Sequence, residues 1–174
     1  MKVTLYFIRH GESQANVLPY PHYMLLRDPL LTRKGVLKSR KVARYTPCVD
    51  VVLSSFLLRA MQTAHLMFPK KHVYCVPYLN ELSNSMDTYP YSVPEQKKRL
   101  RAVFGTTKWL TNYDTKLRRT RNMRMFLRLV IKLVNGMNKK HVKVAVVGHS
   151  LWMMKFLNIP KPDNNAIVKR SIII

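Results

Sequence analysis

The first stretch able to do chemistry is Ile8-Arg9-His10-Gly11-Glu12, where the apolar run 3–8 stops abruptly in a cation, an imidazole and a glycine. An apolar run of that length suits a strand and is far too short to cross a membrane as a helix. The glycine suits a sharp turn at the strand end. That turn would hold His10 at the carboxyl edge of a sheet, where open α/β sheets bind ligands. There His10 is a candidate nucleophile and Arg9 a candidate phosphate clamp. An ordinary surface Arg-His pair is the competing reading of these residues taken alone. Two further strand ends are loaded, Ser54-Ser55 and Gly148-His149-Ser150. In a parallel sheet all three turns share one edge, so His10 and His149 can face one another. Arg59 falls in the first turn of a helix expected after Ser55 and points back at that edge. Glu81 follows the third strand within a few residues.

The elements that must position these groups alternate. Residues 3–9 read as a first strand, buried on both faces because the run hardly alternates. Residues 11–31 contain Pro19, Pro21 and Pro29 and read as a loop without regular helix. Thr32 caps a helix predicted over 34–45, with Val36, Leu37, Val42 and Ala43 inward and Lys34, Lys38, Arg40 and Lys41 outward. A strand at 49–53, a helix at 56–67 and a strand at 73–76 follow. The stretch 82–115, broken by Pro90, Pro94 and Gly105, is expected to pass over the strand ends as a lid, with a short basic helix starting near Ser92. A helix is predicted over 115–137, with Leu117, Met123, Leu127, Val130, Ile131 and Val134 at helical spacing and a stop at Gly136. Lys116, Arg118, Arg119, Arg121, Arg124 and Arg128 dominate its first half. A strand at 142–147, a helix at 151–157 and a β-branched edge or flanking strand at 166–174 complete the chain. The alternation predicts an α/β fold: a three-layer α/β/α sandwich around a mainly parallel central sheet, in one domain over 1–174.

Composition narrows the partners. The chain has 31 Lys+Arg against 8 Asp+Glu, a net charge of +23 and a pI of about 10.5. Such a field attracts anions: phosphorylated molecules, nucleic acid or an acidic membrane face. Few aromatics interleave the cations and no nucleic-acid motif is present, so nucleic-acid binding would be non-specific and salt-dependent. Cys48 and Cys75 lack metal-ligand spacing and suit a reduced intracellular setting, with a disulfide between them as the alternative. No stretch reads as a secretory signal or reaches membrane-spanning length. The expectation is a soluble, cytoplasmic protein, with the nucleus as the alternative. Neither a metal site nor a cofactor is expected.

Five blocks, in order, resemble the histidine phosphatase superfamily in its phosphoglycerate-mutase-like branch. They are Leu5-Tyr6-Phe7-Ile8-Arg9-His10-Gly11-Glu12-Ser13 with Asn16; Asp28-Pro29-Leu30-Leu31-Thr32 with Gly35; Ser54-Ser55 with Arg59-Ala60-Met61-Gln62-Thr63-Ala64; Leu79-Asn80-Glu81-Leu82; and Val146-Val147-Gly148-His149-Ser150. Any one block is weak and the five together are strong. The resemblance implies a phosphoglycerate-mutase-like fold and a phosphatase that hydrolyses phosphomonoesters through phosphohistidine on His10. Arg9, Arg59 and a protonated His149 would bind the phosphoryl oxygens, Asn16 and Ser13 would assist, and Glu81 would carry the proton to the leaving group. No metal is required for that chemistry. Asp87 and Glu95 are the alternative acids, because Ser83-Asn84-Ser85-Met86-Asp87 departs from the family pattern after Glu81. His22, His65, His72 and His141 match no motif. Two other functions remain open: phosphoglycerate mutase-type phosphoryl transfer, and a basic nucleic-acid-binding protein on a phosphatase fold.

Overall fold

The computed structural model describes residues 1–83, 85–104 and 123–174. Five strands, β1 (Lys2–Arg9), β2 (Val51–Ser54), β3 (Val73–Cys75), β4 (His141–Gly148) and β5 (Ile167–Ile173), form one sheet in the order β3-β2-β4-β1-β5. Four strands run parallel, and β5 lies antiparallel on the edge beside β1. The helices are α1 (Gln14–Val17), α2 (His22–Leu25), α3 (Arg33–Ala43), α4 (Leu58–Met67), α5 (Val93–Phe104), α6 (Met123–Asn135) and α7 (Ser150–Leu157).

The period-two alternation of strand side chains divides the core in two. On one face Ile8, Val52 and Val147 pack with Phe56, Leu58 and Met61 at and within α4. On the other face Phe7, Leu53 and Val146 pack with Phe126 and Val130 of α6 and Trp152 of α7. Both faces are covered, which is why β1 and β4 read as nearly unbroken apolar runs. The sandwich and its mainly parallel sheet agree with the expectation from sequence.

Two details differ from it, and part of one predicted helix lies outside the described residues. The stretch 11–31 is not free of helix: α1 ends before Pro19, and Pro21 precedes α2 at its N-cap. A proline there removes no helical hydrogen bond, so the spacing of the prolines permits two single turns. Leu37 does not face the core: it is 56% exposed, and the buried positions of α3 are Gly35 and Ser39. The cause is close approach. A Cβ on Gly35 would lie 2.1 Å from the Glu12 carbonyl oxygen, so only the smallest residues fit this helix face. Finally, the helix over 115–137 is described from Met123 to Asn135. Lys116, Leu117, Arg118, Arg119 and Arg121 lie outside the described residues. Cys48 and Cys75 are both free. Among the described residues no helix is long and apolar enough to cross a membrane.

Candidate active site

The three loaded turns meet because their strands are neighbours. Arg9 pairs with Gly148 and Ser54 with Val147 in register, and the backbone continues the ladder one step further. His10 N–H donates to the Gly148 carbonyl at 3.0 Å and Ser55 N–H to the Val147 carbonyl at 3.0 Å. The His10 and His149 rings consequently lie 5.0 Å apart, centroid to centroid. Both are buried. His10 lines a cavity of about 300 Å³ together with Arg9, Arg59, Glu81 and Asn16, and the His149 ring packs beside it.

His10 Nδ1–H donates to the Gly11 carbonyl at 2.7 Å, which leaves Nε2 as the bare lone pair. Burial first, and then the positive charges of Arg59 and Arg9, push the His10 pKa well below 6.5, against the opposing pull of the Gly11 carbonyl. An unprotonated Nε2 at neutral pH is the form a nucleophile needs. Gly11 has no left-handed backbone angle, so the sharp-turn role read from the sequence gives way to one of space. A Cβ there would lie 2.7 Å from Ser39 Oγ and 3.1 Å from the Gly35 carbonyl. The same loop is held by Gly11 N–H donating to Thr63 Oγ1 and Thr32 N–H donating to the Glu12 carbonyl.

His149 is fixed by a relay that sequence reading did not find. Ser55 O–H and Phe56 N–H both donate to Asn80 Oδ1, at 2.9 and 3.2 Å. With its proton committed, Ser55 Oγ accepts from His149 Nε2–H at 2.8 Å. His149 Nδ1 is then buried with no partner, and Arg9 Nε is also buried without one. Two of the three such atoms among the described residues thus belong to this site, the signature of groups shaped for a ligand. Burial, Arg59, His10 and Arg9 all hold the His149 pKa well below 6.5. These influences hold His149 neutral near pH 7, and the protonated donor expected from sequence needs an anion beside it. The only sequence sign of the relay was that Ser55 and Asn80 stand inside the motif blocks.

The arginines are anchored from opposite sides. Arg59 Nη1 donates to the Asp87 carbonyl at 2.6 Å, and its Nη2 lies 3.4 Å from the Asp87 carboxylate. Arg9 Nη1 donates to the Pro162 carbonyl at 2.7 Å. Burial lowers the Arg9 pKa, while Glu81 and Asp163 act to raise it. The segment carrying Pro162 straps the site. Asn164 Nδ2 donates to the His10 carbonyl at 3.0 Å and to Asn16 Oδ1 at 3.3 Å. Nothing in the sequence marked it.

Glu81 caps α7 from outside that helix: Oε1 accepts from Leu82 N–H at 2.8 Å and Trp152 N–H at 3.2 Å, and Oε2 from Leu151 N–H at 3.4 Å. These bonds fix the carboxylate at the cavity wall. Of the alternative acids, Asp87 lines the cavity but is engaged with Arg59, and Glu95 pairs with Arg99 on α5 and is not among the lining residues. Asn16 lines the cavity. Ser13 is fully buried and donates its hydroxyl proton to Asn16 Oδ1, so it orients Asn16 from behind. Of the stretch 82–115, Ser83, Ser85 and Thr88 also line the cavity, whereas 105–115 fall outside the described residues.

Asp28 opens the second of the five motif blocks. Its backbone stands at φ 42°, and the side chain is fully buried. Oδ1 accepts from Leu58 N–H at 2.7 Å, which caps α4, the helix that carries Arg59. Oδ2 accepts from Gln96 Nε2 at 3.1 Å and Tyr91 N–H at 3.4 Å. Burial raises its pKa from 3.8 to about 6, against the pull of Arg59 and these donors.

The parallel-sheet edge carries paired histidines, paired buried arginines and a fixed carboxylate, a set whose donors match the geometry of a phosphoryl group. The chain belongs to the histidine phosphatase superfamily (branch 1), whose family model matches residues 5–159. It is 28% identical over 122 residues to a 2,3-bisphosphoglycerate-dependent phosphoglycerate mutase of Nocardia farcinica, covering 66% of this chain and 49% of that protein. A mutase of the same description from Methylobacterium radiotolerans is 28% identical over 123 residues, 67% of this chain and 57% of that protein. The match therefore spans about half the length of these relatives. In fold, the chain is similar to phosphoglycerate mutase from Bacillus anthracis, with a TM-score of 0.66, 20% identity and coverage of 98% of this chain and 88% of that one. It is also similar to phosphoserine phosphatase from Entamoeba histolytica, with a TM-score of 0.61, 21% identity and coverage of 96% and 89%.

Proposed function

We propose that this protein hydrolyses phosphomonoesters through a phosphohistidine on His10. The observation that carries the reading is the His10 Nδ1–Gly11 carbonyl bond, which leaves an unprotonated Nε2 beside two buried guanidiniums. Nε2 attacks phosphorus, the bond from phosphorus to the ester oxygen breaks, and Glu81 gives that oxygen a proton. Arg9 Nε and His149 Nδ1, both without a partner in the structure, supply donors to the phosphoryl oxygens as charge spreads over them. His149 does so after taking up a proton that the incoming dianion stabilises. Water then attacks the phosphohistidine, Glu81 takes its proton, and inorganic phosphate leaves. The field of +23 supports an anionic substrate and non-specific attraction to nucleic acid.

The likeness to phosphoglycerate mutases supports a second reading, in which the phosphoryl group passes to another substrate oxygen instead of water. One experiment separates the two. The protein is incubated with radiolabelled phosphoester, quenched in alkali and examined for acid-labile phosphoenzyme, which His10→Ala should abolish. Inorganic phosphate released without a bisphosphate primer is the hydrolase outcome. Interconversion of phosphoglycerates that requires such a primer is the mutase outcome. Absence of any phosphoenzyme, with nucleic acid retained at low salt, would refute both.

A further inference from the structure

The cavity wall is chemically divided, and the division points to a substrate class. Leu151 and Met154 of α7 line the cavity, and Leu151 N–H is one of the groups that fix Glu81. The proton donor and these two side chains therefore share a side, the side on which a leaving group must sit. Ala15 of α1 and Tyr23 of α2 continue that apolar lining across the mouth. The same two helices and their junction also carry Val17, Leu18, Tyr20, Met24 and Leu25, none of which lines the cavity and all of which are exposed, with Tyr20 at 75% and Leu25 at 78%. Single exposed apolar residues need no explanation, but five within nine positions, on and between the two helices that supply Ala15 and Tyr23 to the cavity lining, mark a surface for an apolar group. This surface is held in place: Gln14 N–H donates to the Leu30 carbonyl at 3.1 Å, and Asn16 Oδ1 accepts from Ser13 and Asn164.

We propose that the site takes amphiphilic phosphomonoesters: the phosphate enters the arginine and histidine pocket, and an alkyl-type leaving group lies along Leu151, Met154 and Tyr23 onto the α1–α2 surface. This rests on the phosphatase reading and names the alcohol side of its substrate. Full burial of one methylene gives about fourfold in binding, and about half of that area meets an open surface, so about twofold per methylene is expected. Over the six methylenes between ethyl and octyl phosphate this compounds to about sixtyfold in kcat/KM, and to about tenfold if only half of them meet the lining.

The test compares kcat/KM for ethyl, butyl and octyl phosphate, all as monomers in solution, with glycerol 3-phosphate as the polar control. Octyl phosphate should exceed ethyl phosphate by about tenfold or more, and glycerol 3-phosphate should not. The double variant Leu18→Ser/Leu25→Ser changes two exposed residues; it should reduce the octyl-to-ethyl ratio at least about threefold. Presenting octyl phosphate in phosphatidylcholine vesicles assigns the source: turnover there supports a bilayer-borne ester, and turnover only of the monomer supports a dissolved one. A flat chain-length series, with ethyl phosphate still hydrolysed and His10→Ala inactive, overturns this proposal and leaves the phosphatase reading standing. A ratio untouched by the double variant also overturns it. Failure to hydrolyse any ester overturns both.

Discussion

Replacing Asp28 by asparagine should remove one limb from the dependence of stability on pH. Asparagine tolerates the left-handed φ of 42° as aspartate does, and keeps the side-chain shape without titrating. The native carboxyl titrates at about 6, raised by burial from 3.8. Below both values each state carries the proton. Between them the native state holds it and the unfolded chain does not, so native stability falls as pH rises. At about 1.4 kcal/mol per unit the loss totals about 3 kcal/mol and is complete by about pH 7. His10 and His149 act in the opposite sense. Their native pKa values lie well below 6.5, so unfolding takes up protons and stability falls as pH drops below 6.5. Subtracting the variant's curve from the wild-type curve cancels the histidines. Urea unfolding at intervals from about pH 4 to pH 7.5 should show the wild type losing about 2 kcal/mol relative to Asp28→Asn, the rest of the change falling below pH 4. Parallel curves, or a wild type that gains on the variant as pH rises, would refute the assignment of burial as the dominant influence on Asp28.

Gly35→Ala places a Cβ 2.1 Å from the Glu12 carbonyl oxygen. It should destabilise the protein by about 3 kcal/mol or more, read as a lower urea midpoint. It should also slow turnover, because the displaced backbone lies two residues after His10. Ser55→Ala leaves His149 Nε2 and Asn80 Oδ1 short of a buried partner. A cost of about 1–3 kcal/mol is expected, with kcat reduced at least about tenfold and the pH–rate profile displaced because the His149 tautomer is no longer fixed. A profile of unchanged shape would assign Ser55 to folding alone. Vanadate binding near pH 7.5 should draw in about one proton as His149 becomes charged, measured by calorimetry in buffers of different ionisation enthalpy. A binding heat independent of buffer would refute that coupling.

Parts of the molecule dominated by one physical demand could be read from sequence. β1 and β4 are buried on both faces over most of their length, so their inner stretches are nearly unbroken apolar runs and the strands declare themselves. His10, Arg59 and His149 follow such runs within a few residues, and strand adjacency does the rest. Where two demands compete, the reading failed. Leu37 has the right period for the core, yet α3 presses so closely on the loop after His10 that Gly35 and Ser39 take the inner positions. Close approach between segments distant in sequence leaves no periodic trace. The prolines of 11–31 suggested a loop because their exclusion from helix interiors is strong, but α1 and α2 fit between them. The Ser55–Asn80 relay and the Asn164 strap are single polar residues satisfied by long-range partners, and composition cannot reveal them.

The order of the sheet has a consequence for how this centre tolerates change. The two imidazoles extend from adjoining, hydrogen-bonded strands, and their separation of 5.0 Å matches the spacing of about 4.8 Å between neighbouring strands. That distance is a repeat of the backbone lattice, indifferent to the length or composition of whatever chain connects β1 to β4. Insertions, deletions and wholesale rewriting of the connecting segments can therefore alter what is admitted to the centre while the reacting pair keeps its gauge.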